Sequence, residues 1–192
     1  MSVLKVIKYG HPTLRKTAEP VKPEEIDKQF LQDMLETMEE EDGVGLAANQ
    51  VDVAKQIITI TDFEKTYILI NPKITACSEN MVTGKEGCLS LPGLEAQVPR
   101  SEKVIVSALD ENGVPVEIIG RGLLAVVLQH EIDHLNGVMY IDRADPATLV
   151  WQDNEETSGL PATKNTTLDE VQTLYKSMFH KDMKTVIFDP VK

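Results

Sequence analysis

The chain has 192 residues, 42% of them hydrophobic and 26% charged, the size and balance of one globular domain with a sizeable core. Its 31 Asp and Glu outnumber 19 Lys and Arg, and the net charge of −12 excludes a global electrostatic footprint for nucleic acid or an anionic membrane. No apolar run approaches a membrane span, the opening MSVLKVIKYGHP lacks a signal-peptide core, and two cysteines suit a reducing compartment, so a cytoplasmic protein is expected.

After Pro23, the residues Ile26, Phe30, Leu31, Met34, Leu35 and Met38 recur at helical spacing toward Gly43 and predict a core-facing helix. β-rich runs follow at 56–61 and 67–70, the second closed by Asn71-Pro72. EGCLSLPG, residues 86–93, reads as a Gly- and Pro-rich connection between strands. A further pair of strands, 103–109 and 115–119, flanks Glu111-Asn112-Gly113 and predicts a hairpin. LLAVVLQHEIDHLN then runs without a breaker from Gly122 to Gly137, a helix that Leu124, Val127 or Leu128, Ile132 and Leu135 keep in the core. Beyond Asp145-Pro146 a polar, irregular stretch reaches Thr166, where Thr167 and Glu170 make a capping box for a short terminal helix. The expected fold class is α+β, with antiparallel or mixed β-sheets packed around the central helix over residues 1–150 and a polar segment over 151–192.

That central helix carries His130, Glu131 and His134 as H-E-x-x-H, so both imidazoles lie on one face, one turn apart, with a carboxylate between them. Half of the chain's four His fall in this one turn. Two neutral imidazoles can hold a divalent ion, and a nearby Glu can take a proton from water whose pKa the ion has lowered. The implied chemistry is hydrolysis. A catalytic ion of this kind takes a third protein ligand, and the residues offer two. Cys88 is presented by the constrained EGCLSLPG backbone. Glu155, in NEETS, resembles the downstream Glu segment of thermolysin-like metallopeptidases. Cys77 reads as a buried structural cysteine. Gly43, Gly45 and Gly87 allow a backbone to pass close to a ligand, and an extended peptide fits along 43–46.

Three segments in order, GVGLAANQ (43–50), EGCLSLPG (86–93) and QHEIDHLNG (129–137), resemble peptide deformylase, and the similarity extends over residues 1–145. The resemblance implies a catalytic domain over 1–150 that removes the formyl group from the N-terminal formyl-methionine of nascent polypeptides and releases formate. It assigns Cys88, His130 and His134 to the metal, Glu131 to general base and acid, and Gln50 with the Leu89 N–H to the formyl oxygen. Val44, Gly45 and Val126 become the candidates for binding substrate. It points to Fe(II) as the ion, with Zn, Ni or Co also suited to one thiolate and two imidazoles. Many bacterial members end in a basic helix that docks on the ribosome. Here residues 151–192 carry five Lys, no Arg and seven Asp and Glu, so docking through this tail is not expected, nor direct contact with nucleic acid or membrane. Folding back on the body, dimerisation or another partner are the open roles for the segment.

Overall fold

The computed structural model describes residues 2–62, 65–152, 164–181 and 183–189. Among these, nine strands form two antiparallel sheets with three α-helices around them. The first sheet has the order β1-β2-β3-β6-β7 and is made from β1 (Gly45–Ala47), β2 (Ile57–Thr61), β3 (Thr66–Cys77), β6 (Lys103–Leu109) and β7 (Pro115–Arg121). The second has the order β4-β5-β8-β9, from β4 (Met81–Cys88), β5 (Leu91–Ser101), β8 (Val150–Trp151) and β9 (Lys164–Asn165).

The first helix, α1 (Lys28–Glu40), starts later than the Pro23 boundary read from the sequence. Asp27 accepts from the N–H groups of Gln29 (2.9 Å) and Phe30 (3.2 Å), supplying the cap that orphan helix donors require, while Pro23–Glu25 forms only a 3₁₀ turn. Leu31, Met34 and Met38 of α1 pack with Val6, Leu46, Ile57 and Ile70.

Two strand assignments needed tertiary contacts. β3 does not stop at Asn71-Pro72. The ladder shifts register between Ile70 and Lys73, so Pro72 sits in a bulge where its missing N–H is tolerated. The Asn71 side chain accepts from the Val21 N–H and donates to the Val21 carbonyl, each at 2.8 Å, which holds the irregularity in place. EGCLSLPG is likewise a hairpin tip rather than a connection. β4 ends at Cys88, Leu89 and Ser90 make the turn, and β5 begins at Leu91, paired with Cys88.

The helix α2 (Leu123–Leu135) lies on the first sheet. Val127, Leu128, Ile132 and Leu135 are buried against Ile58, Ile60, Leu69, Val104 and Val106, with Leu124 half-buried at the margin. Each such side chain withdrawn from water contributes about 1.5–3 kcal/mol. A Schellman motif ends α2: the Val138 N–H bonds the Asp133 carbonyl and the Gly137 N–H bonds that of His134, both at 3.0 Å, with Gly137 at φ 71°. Gly is required there twice over, since a Cβ would meet the Arg15 carbonyl oxygen at 2.6 Å.

The C-terminal residues that are described pack on the body. α3 (Leu168–Phe179) opens with the Thr167/Glu170 capping box. Val171 and Tyr175 share a core with Trp151, Leu91, Leu94, Tyr140 and Tyr9. Farther on, the Ile187 N–H bonds the Gly10 carbonyl at 2.9 Å, and a ring nitrogen of His180 donates to the Tyr9 carbonyl at 2.7 Å.

Candidate metal centre and substrate groove

The helical repeat of α2 brings His130 and His134 together with ring centroids 5.0 Å apart, and the end of β4 delivers Cys88 to them. Cys88 Sγ lies 3.2 Å from His134 Nε2, and one ligand atom from each of the three residues lies within 4.8 Å of the others. Tetrahedral coordination by one sulfur and two imidazole nitrogens at ordinary bond lengths separates its donors by about 3.3–3.6 Å. The Cys88–His134 pair is already at that spacing, and the donor set suits a divalent ion in its chemistry. Among the described residues it is the group of three His, Cys, Asp or Glu side chains that could hold one. Glu155 lies outside the described residues.

A buried carboxylate orients the first imidazole. His130 Nδ1 is 2.8 Å from Glu86 Oε2, which leaves Nε2 for the ion. Glu86 is gripped by Arg100 through bonds of 2.8 and 2.9 Å, Arg100 reaches Asp133 at 2.5 Å, and Asp133 takes two bonds of 2.6 Å from Arg143. Burial pushes the Glu86 carboxyl up, but its bonds to Arg100 and His130 outweigh that and hold it below the usual carboxylate range. Burial also disfavours the charged His130 imidazole, yet the hydrogen bonds of Cys88 and Glu86 and the charge of Glu131 raise it well above its ordinary value. A proton and a divalent ion thus compete for the same place. His134 is driven the other way, first by burial and then by His130, so it stands as a neutral imidazole, the ligating form. The Asn49 side-chain amide donates to the His134 carbonyl from below.

Glu131 is buried beside the three donors, and burial raises its pKa to about 7. Its Oε2 is buried without a hydrogen-bond partner among the described residues, an unusual state for a carboxylate in a folded chain and one that points to a partner outside the chain. Gly45 makes room for it. A Cβ at Gly45 would collide with Glu131 Oε1 and approach Val127 Cγ1 at 2.8 Å.

Gln50, only 1% exposed, has its amide oriented by the Ala47 N–H, which donates to Oε1 at 2.8 Å. Its NH₂ is thereby turned toward Cys88 Sγ and Ser90 Oγ, each at 3.4 Å. Leu89 follows Cys88 at the hairpin tip, and its carbonyl accepts from Lys8 Nζ at 3.1 Å. All of this opens on a groove of about 620 Å³ between the two sheets, lined by Val44, Gly45, Gln50, Leu89, Val126 and Glu131 among others. That size suits a small ligand or a short peptide. Val44 is 40% exposed at its rim and Val126 half-buried. A Cβ on Gly43 would meet Leu89 Cδ1 at 2.9 Å, whereas Gly87 has nothing closer than 3.6 Å, so close backbone approach explains Gly43 and Gly45 but not Gly87.

Cys77 is not a buried structural cysteine. It is exposed at the far end of β3, where the strand outruns the core. Sequence reasoning also missed Glu86, Arg100, Asp133, Arg143 and Lys8. The requirement that a ligating His give its second nitrogen a partner, applied to the Glu two residues before Cys88, could have found Glu86. Nothing local announces Arg100.

The family model for polypeptide deformylase matches residues 3–149. The peptide deformylase of Elusimicrobium minutum is 43% identical over 159 residues, covering 76% of this chain and 90% of that one. Among solved structures, the peptide deformylase of Thermus thermophilus superposes with a TM-score of 0.71 at 42% identity, covering 74% of this chain and 86% of that one. A class I type b peptide deformylase of Acinetobacter baumannii, solved with Met-Ala-Ser bound, does so with a TM-score of 0.71 at 38% identity, covering 74% and 99%.

Proposed function

The chain belongs to the polypeptide deformylase family, metal-dependent hydrolases that remove the formyl group from N-formyl-methionine peptides during protein biosynthesis, and we propose how its own residues divide that work. Cys88, His130 and His134 hold the divalent ion. The observation that carries this is their convergence beside a buried Glu131 whose Oε2 has no partner among the described residues, at the floor of a groove. Bound there, the ion would supply Lewis acidity and lower the pKa of water at the open position. One thiolate and two imidazoles suit Fe(II), Zn, Co and Ni alike, and the family resemblance puts Fe(II) first.

The Gln50 NH₂ and the Leu89 N–H donate to the formyl oxygen, where negative charge grows as the carbon becomes tetrahedral. Ala47 fixes the Gln50 amide, so no reorientation is needed as that charge appears. Glu131 takes a proton from the attacking water and delivers it to the peptide nitrogen as the C–N bond breaks, leaving formate and a free amine. The peptide backbone lies along 43–46, because β1 is an edge strand of the first sheet and its free side can add a strand. Val44 and Val126 face the methionine side chain. A relative holds Met-Ala-Ser, and a peptide of that length is the substrate we assign here. Residues 1–150 form the catalytic unit, in a bacterial-type cytoplasmic setting, and the acidic segment 151–192 does not dock on the ribosome.

The test is formate release from formyl-Met-Ala-Ser by protein purified without oxygen and loaded with Fe(II). Rapid release that fades on exposure to air is expected, through oxidation of the ion or of the Cys88 sulfur. No release with the ion demonstrably bound would overturn the reading in favour of a non-catalytic binder or a Glu155-dependent peptidase. Full activity that persists in air would argue against iron alone.

A further inference from the structure

One wall of the groove is held by residues that lie beyond the region matched to the family. Pro92, Gly93 and Glu95 line the groove at the start of β5. Tyr175 of α3 donates its hydroxyl to the Pro92 carbonyl at 3.0 Å. The Gln152 N–H donates to the Gly93 carbonyl at 2.6 Å, and its side-chain Nε2 donates to Glu95 Oε2, also at 2.6 Å. Leu94, between them, pairs with Trp151 in the β5–β8 ladder. The family match ends at residue 149, so Trp151, Gln152 and Tyr175 all lie outside it.

The restraint falls where the backbone is least able to hold itself. Pro92 has no N–H to offer a ladder, and Gly93 sits at φ 75°, a conformation in which glycine retains freedom that other residues lack. Without β8, β5 would leave this stretch as an unpaired edge. Glu95 carries the groove's charge at this wall, and two donors park it, Gln152 on one side and Lys85 Nζ at 2.8 Å on the other.

We propose that Gln152 and Tyr175 are positioning residues for the substrate groove: through Pro92, Gly93 and Glu95 they set the wall that grips the residues following formyl-methionine. The inference rests on the deformylase reading, because it takes the groove to hold a formyl-methionyl peptide. Neither residue lines the groove, and their hydrogen bonds to Pro92, Gly93 and Glu95 do not involve Gln50, Cys88, Glu131 or the two His. Loosening the wall therefore weakens the grip on a longer peptide while leaving the reacting centre in place. That is a change in KM rather than kcat.

The experiment uses the full-length, metal-loaded chain and the variants Gln152→Ala and Tyr175→Phe, each of which removes polar contacts without opening a large cavity. With formyl-Met-Ala-Ser, each variant is expected to raise KM about 3- to 10-fold with kcat within about twofold, the scale of one lost hydrogen bond. With formyl-Met-Ala, which reaches less of the wall, the change should be smaller. Calorimetry should show Met-Ala-Ser, the product peptide, binding more weakly by a similar factor. Unchanged KM and unchanged Met-Ala-Ser binding in both variants would overturn the proposal, as would an equal fall in kcat on both substrates together with a lowered melting temperature. An unmodified chain that releases no formate would overturn the deformylase reading and this inference with it, whereas an active parent with indifferent variants overturns the inference alone.

Discussion

Glu131 has one oxygen crowded against Gly45 and the other buried without a partner among the described residues, an arrangement that makes sense for a carboxylate whose partner arrives with the reaction. Glu131→Gln keeps the shape and loses the proton shuttle. Turnover should fall by at least about 10²-fold, while metal content, measured by elemental analysis, stays at the parent level. An active Gln variant would remove Glu131 from the mechanism. Glu86 makes a different prediction. It touches no substrate, but it holds His130 through Nδ1 and is itself held by Arg100. Glu86→Gln should weaken metal affinity by about 10- to 100-fold, read by competition against a chelator. Unaltered affinity would reduce the pair to a packing contact.

The elements explain why a short motif suffices to make a rigid site. α2 is anchored on the first sheet by an apolar face and ended by a Schellman motif, so His130 and His134 inherit their positions from a buried helix. β1 passes directly over Glu131, and its closeness depends on Gly45 having no side chain. Gly45→Ala should displace either β1 or the carboxylate. Overpacking of this kind costs about 1–3 kcal/mol, and kcat/KM for a formyl-methionyl peptide should fall alongside the melting temperature. A variant with parent stability and parent kinetics would show that the strand has slack. The hairpin of β4 and β5 meets α2 from the other sheet, and Cys88, in the last pair of the ladder before the turn, reaches His134.

At the scale of the molecule, the two sheets enclose the groove and the C-terminal segment closes the second core. Trp151, Val171 and Tyr175 are buried with Leu91, Leu94 and Tyr140, the residues behind the Pro92–Glu95 wall. Arg15, itself buried, ties the Phe188 carbonyl to Asp142 and to the Gly137 carbonyl just beyond α2. Trp151→Ala should cost about 3–5 kcal/mol, measured by denaturant unfolding, with the loss seen in one cooperative transition. A separate, earlier transition confined to the C-terminal residues would mean that the segment is fastened less firmly than this packing implies.

Read by itself, the sequence determined what depends on near neighbours. A 3.6-residue period sets His130 and His134 on one face, Gly137 stops the helix, β-rich runs mark β2, β6 and β7, and the capping box opens α3. Three ordered segments were enough to name the family. What tertiary structure alone decided lies between residues far apart in the chain: Arg100 between Glu86 and Asp133, Gly45 against Glu131, β3 running on through Pro72, and Gln152 on Glu95. The physical reason is common to all four. Periodicity records which face a side chain takes on its own element, but a buried charge or a missing Cβ is explained only by the group that packing brings opposite it.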